Sequence, residues 1–158
     1  MRTRISPATS EAGADRIVTV LAVSPNERDH HALRQIFSKS NWQLYEARTL
    51  RSAVALVQQK PIPVMICEAD LPDGNWRDAL SLLNRSADPP LLIVTSRDAD
   101  ERLWAEVLNL GGYDVLPQPF DLPEVIRILG LAWRHWKESN HSGTVAASPA
   151  PLSFAVAG

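Results

Sequence analysis

Five short apolar runs rich in β-branched residues, each followed by a helical stripe, set the tightest limit on how this chain can fold. The runs cover residues 16–23, 42–47, 64–67, 90–94 and 113–116. Between them, apolar residues recur at helical spacing: Ala32, Leu33, Ile36 and Phe37 after Asn26, then Leu50, Ala53, Val54 and Val57 after Thr49. Asn26 and Thr49 are side chains suited to cap the helices they precede. Trp76, Ala79, Leu80, Leu82 and Leu83 mark a third helix over 75–85. A fourth over 101–110 ends at Gly111-Gly112, and a fifth runs from Pro123 to about Lys137. Strict alternation of strands with helices predicts a parallel sheet covered on both faces. Pro117 and Pro119 cost least if the fifth strand lies at an edge.

The third run, Val64–Cys67, is opened by prolines and closed by Asp-Leu-Pro-Asp-Gly, as in a strand buried on both faces that ends in a tight loop. Glu68 stands at its carboxyl end. Open α/β sheets carry their chemistry at that edge, which makes Glu68 the first candidate for function.

At 158 residues the chain supports one domain with a substantial core. The division expected is a flexible tail over 1–15, a domain over 16–137 and a disordered tail over 138–158. A net charge of −2 gives no drive toward nucleic acid or anionic membrane. The single cysteine, Cys67, excludes an internal disulfide and suits a reducing compartment. With no apolar run near the roughly 18 residues of a membrane span and no secretory signal, a cytoplasmic location is the expectation.

Three segments together resemble the receiver domains of response regulators. Glu68 followed by Ala-Asp-Leu-Pro72 is similar to their acid-to-proline segment. Thr95-Ser96 resembles their hydroxyl element, and Gly111-Gly-Tyr-Asp-Val-Leu-Pro-Gln-Pro-Phe120 their final strand and turn. The resemblance spans roughly 16–137. It implies a flavodoxin-like (βα)5 three-layer sandwich whose five parallel strands run in the order 2-1-3-4-5. It also implies aspartyl phosphorylation supported by Mg²⁺. This sequence departs from that set. The acidic pair falls on Ser24 and Pro25, the phosphoacceptor on Glu68, the lysine on Gln118 and the switching aromatic on Val115. Thr95 keeps its hydroxyl, and Pro119 is expected to follow a cis peptide. Loss of the metal pair, the nucleophile and the lysine removes the main charge-stabilising groups of phosphoryl transfer. The expectation is a pseudo-receiver with no enzymatic activity and no cofactor.

Glu68 reads either as a fixed mimic of the phosphorylated state or as a structural acid, solvated or bonded to Thr95 and loop amides. Asp70 and Asp73 are weak candidates for a metal site with it, and the acids Glu27 and Asp29 suit the first turn of a helix in any case. His30 and His31 are adjacent and point apart on a helix. Cys67 reads as inert core.

On the fifth helix, Val125, Leu129, Ala132 and Trp136 form the expected core stripe, leaving Ile126, Ile128, Leu131 and Trp133 outside it. With Trp104 on the fourth helix, Ile128, Leu131 and Trp133 define an expected interface on the helix 4–strand 5–helix 5 face. A tail folded back through Leu152 and Phe154 is the alternative cover. The function read from the sequence is a stand-alone, phosphorylation-independent interaction module of two-component signalling. Its partner would be a histidine kinase or regulator, or a second copy. Two rivals stay open. One is a receiver phosphorylated on an unusual acid near Glu68 or Asp70. The other is a doubly wound domain binding a small ligand at the carboxyl edge, although Ser24-Pro-Asn26 replaces any glycine-rich phosphate loop.

Overall fold

The computed structural model describes residues 17–142. Five parallel strands, β1 (Thr19–Val23), β2 (Gln43–Ala47), β3 (Val64–Glu68), β6 (Leu91–Ser96) and β7 (Asp114–Pro117), form one sheet in the order β2-β1-β3-β6-β7. The order is the predicted one, and β7, which ends at Pro117, is an edge strand. Helices α1 (Glu27–Phe37), α2 (Leu50–Gln59), α3 (Trp76–Leu83), α4 (Glu101–Leu110) and α5 (Leu122–Ser142) connect and follow the strands. The loop expected after Glu68 instead holds a two-stranded hairpin, β4 (Asp70–Leu71) against β5 (Gly74–Asn75).

Alternation along each strand sends side chains to opposite faces and so builds two cores. Leu21, Val23, Met65, Cys67, Leu92, Val94 and Val115 pack beneath α2, α3 and α4. Val20, Ala22, Val64, Ile66, Ile93 and Leu116 pack beneath α1 and α5. Burial on both faces is why these strands read as continuous apolar runs, and each fully buried Val, Leu or Ile contributes roughly 1.5–3 kcal/mol.

The helix ends follow from local chemistry. Thr49 accepts the Ser52 N–H, and Asp73 accepts those of Leu50 at 2.8 Å and Arg51 at 3.0 Å, so two side chains cap α2. Those two backbone donors hold the Asp73 carboxyl below its ordinary range. Asp73 therefore serves α2 rather than Glu68. Asn75 and Asp78 form a reciprocal capping box on α3. Gly111 ends α4 at φ 108°, a conformation that favours glycine.

Three expectations on α5 are corrected. Ile128 is 2 % exposed and packs in the α1/α5 core with Val125, Leu129 and Ala132. It is core, not interface, because residues i, i+3, i+4 and i+7 share one face and a helix on a sheet buries a broad stripe. An arginine there would bury an unpaired charge. Trp136, placed in that stripe from sequence, is only half-buried and lies beside the amino end of β3. The helix also continues past Lys137 to Ser142. Of the tails expected over 1–15 and 138–158, the first, and the second from residue 143 onward with Leu152 and Phe154, lie outside the described residues.

Candidate functional site at the carboxyl edge of the sheet

Register fixes which side chains meet at this edge. Val23 pairs with Cys67, Glu68 with Thr95, and Ser96 with Pro117, so Ser24, Glu68, Thr95 and Gln118 emerge together. Gln118 Nε2 donates to Glu68 Oε1 at 3.1 Å. The Gln118–Pro119 peptide is cis.

Each hydroxyl here already has a partner. Ser24 Oγ donates to Asp29 Oδ2 at 2.6 Å and accepts the Asn26 N–H at 3.1 Å. The Ser24 carbonyl accepts from His30 Nε2 at 2.9 Å. Thr95, 1 % exposed, donates its hydroxyl to the Leu116 carbonyl at 2.7 Å. Of the alternatives for Glu68, the bond to Thr95 is therefore not formed; the threonine is turned toward β7. Val115 is fully buried in the core beneath α4, and a β-branched side chain there has little rotamer freedom.

Burial pushes the Glu68 carboxyl above its ordinary range. The Gln118 amide pulls it partly back, while the nearby Asp29 and Asp70 carboxylates push it further up. Burial likewise drives the Cys67 thiol up to about 12, so it remains an unreactive thiol inside the core. Among the described residues, no group of three or more His, Cys, Asp and Glu side chains could hold a metal ion.

Asp29 and His30 are site residues that the helical stripe does not include as first drawn. Asp29 is 5 % exposed and His30 fully buried. The signal was available: continuing the α1 stripe of Leu33 back one turn lands on Asp29 at i−4 and His30 at i−3. The two arginines that line the outer cleft, Arg28 and Arg97, also lie outside the motif positions. Arg28 stands in the first turn of α1, where the helix dipole disfavours a cation. The cleft is about 530 Å³ and reaches from Asn26 and Arg28 across Glu68 and Asp70 to Arg97.

On the opposite flank, Trp104 is half-buried, and its Nε1 donates to Asp114 Oδ1 at 2.9 Å, tying α4 to β7. Leu131 and Trp133 on α5 are half-buried, and Lys137 Nζ lies 4.8 Å above the Trp133 ring.

A family model, the response regulator receiver domain, matches residues 20–129. The chain is 32% identical over 111 residues to the probable transcriptional regulatory protein TcrX of Mycobacterium tuberculosis, covering 69% of this chain and 47% of that protein. It is 25% identical over 133 residues to the KDP operon transcriptional regulatory protein KdpE of Escherichia coli, covering 84% and 56%. The chain thus spans about half the length of these curated relatives.

Among solved structures, the signal receiver domain of an HD domain-containing protein from Pseudomonas fluorescens superposes with a TM-score of 0.71 at 25% identity, over 78% of this chain and 91% of that one. The beryllofluoride-activated NtrC4 receiver domain dimer gives 0.70 at 20% identity, over 76% and 99%. With the sheet order, the placement of Glu68 and Thr95 and the matched family model in agreement, the chain belongs to the response-regulator receiver family of two-component signalling.

Proposed function

We propose that this receiver domain signals without being phosphorylated, its carboxyl edge held in one state by internal hydrogen bonds. The Glu68–Gln118 bond carries the reading. The groups that transfer and stabilise a phosphoryl group must aim charge at its oxygens. Here an amide faces the acid at the strand end, and a neutral amide supplies no full charge. Ser24 takes one position of the metal pair, but its hydroxyl is already donated to Asp29, and Pro25 offers no side-chain donor at the other. Mg²⁺ favours carboxylate and water oxygens in a near-octahedral shell, and these residues do not fit it. The domain is then a binding module rather than an enzyme, and it acts in the cytoplasm.

Intact-mass measurement after incubation with Mg²⁺ and a small phosphodonor tests this. The expected result is an unchanged mass for the natural chain and for Glu68→Asp, since that substitution restores neither metal ligands nor the lysine. A stable gain of one phosphoryl group on the natural chain would favour the rival reading, phosphorylation on Glu68 or Asp70.

The face built by α4, β7 and α5 is the proposed contact surface. Trp104, Leu131 and Trp133 contribute to it, and α4 adds Leu108 and Leu110, 50 % and 51 % exposed. Its occupant is a second copy of the chain or a signalling protein. One structural neighbour is the receiver domain of Ssk1, solved with the phosphotransfer protein Ypd1 of Saccharomyces cerevisiae. Leu108→Arg should leave stability within about 0.5 kcal/mol, as for other exposed sites, and shift light scattering from dimer to monomer. A natural chain that is monomeric throughout assigns the face to a different protein.

A further inference from the structure

We propose that a pocket flanking the carboxyl edge, between the amino end of α1 and the turn from β7 into α5, binds a small aromatic carboxylate. Its volume is about 360 Å³, at the lower end for small-molecule pockets and enough for a compact ring. Ala32, Pro119 and Phe120 give it an apolar lining. Phe120 is half-buried and packs against the α1/α5 core, which holds its ring in place. Arg28 and Ala32 stand four residues apart on one face of α1, and Arg97 directly follows the last residue of β6. Two guanidinium groups from separate elements therefore line one small apolar pocket.

Neither arginine is neutralised by the chain. Arg28 and Arg97 are exposed and form no ion pair among the described residues, whereas Arg34, Arg48 and Arg77 each pair with a glutamate. The one acid on the lining, Asp29, is 5 % exposed and already accepts the Ser24 hydroxyl at 2.6 Å. Two cations on one small pocket repel each other, and an anion between them replaces that repulsion with attraction. A planar carboxylate matches the guanidinium fork, and the flat face of a guanidinium also stacks on an aromatic ring. Glu68, Asp70 and Asp98 line the adjoining cleft, and their charges oppose a dianion more than a monoanion. A single exposed ion pair is worth little. Two cations beside an apolar surface are worth more, because the ring of the ligand is covered while its charge is held.

Benzoate is the probe, with benzamide as the ring without the charge and acetate as the charge without the ring. The full chain is labelled with ¹⁵N at its arginines, and the Nε–H signals of Arg28 and Arg97 are identified by their loss in Arg28→Gln and Arg97→Gln. Both positions are exposed, so these variants should stay folded. Benzoate should shift both signals and saturate, while those of Arg102 and Arg127, exposed and outside the pocket, stay in place. Benzamide and acetate should each bind about tenfold more weakly, and either variant should weaken benzoate by about the same factor, the loss expected for one charge-assisted contact. The titration contains neither Mg²⁺ nor a phosphodonor, so its outcome is separate from that of the mass measurement on phosphorylation. No saturable shift, or a shift shared equally by Arg102 and Arg127, would overturn the proposal. Binding of benzamide or acetate as tight as that of benzoate would overturn it as well.

Discussion

Among the described residues, the two ends of the sheet each keep one buried nitrogen without a hydrogen-bond partner, and they do so in different surroundings. At the carboxyl end it is His30 Nδ1, 3.8 Å from Glu46 Oε1 and beyond hydrogen-bond reach. His30 is fully buried, and the void beside it is about 10 Å³, room for at most a single water. At the amino end it is the Trp136 indole, beside a cavity of about 540 Å³. The first nitrogen is sealed among groups that fix a loop, and the second is closed off from solvent although a cavity opens beside its ring. Volume beside an unpaired polar atom thus does not by itself put that atom within reach of a ligand.

The largest effect should come from the sealed end. His30→Ala removes a fully buried ring and its bond to the Ser24 carbonyl. Cavity formation and a lost hydrogen bond together should cost roughly 2–4 kcal/mol in urea denaturation. At the open end, Trp136→Phe keeps most of the packing and deletes the unpaired donor. It should change stability by less than about 1 kcal/mol, toward greater stability. Equal losses from both variants would erase the distinction between the two ends.

A smaller effect lies in the pH dependence of Glu68. Its folded-state carboxyl titrates above the ordinary carboxylate range, so the folded chain holds that proton more tightly than the unfolded one. The stabilising contribution is complete below the unfolded value and is lost as pH rises through the folded one. Glu68→Gln should therefore be more stable than the natural chain at pH 7, and the gain should disappear near pH 4. The carboxylates of Glu46 and Asp73 are shifted the other way, and both chains share them. A gain from Glu68→Gln that grows on acidification would contradict this assignment.

The sheet was legible because β1, β3 and β6 are buried on both faces, and double burial leaves an unbroken apolar run. The order was legible from the segments around Pro72 and Pro119 rather than from periodicity. The meeting of Glu68 with Gln118 followed from that alignment. Asp29 and His30 were hidden because an acid in a first helical turn has a ready surface explanation, and only the helical wheel places it inward. Ile128 was misplaced because a narrow stripe was drawn on α5, where the sheet covers a wide one. Trp136 shared the stripe with true core residues, yet it falls where the helix passes the amino end of β3, and no pattern within α5 marks that point. The hairpin of β4 and β5 was hidden by its length, since two-residue strands have no period.

The central claim is that the carboxyl edge does not switch. Amide spectra of the full chain, recorded with Mg²⁺ and beryllofluoride added stepwise, test it most directly. The signals of Ala69, Thr95, Ser96 and Gln118 lie around Glu68 and across the Thr95–Leu116 bond, and any phosphate-like species at this edge must disturb them. The predicted result is that they do not move beyond the small, unsaturable drift that added salt produces. A saturable shift of these amides that requires both Mg²⁺ and beryllofluoride would show that the edge still takes a phosphoryl analogue, and would contradict the account.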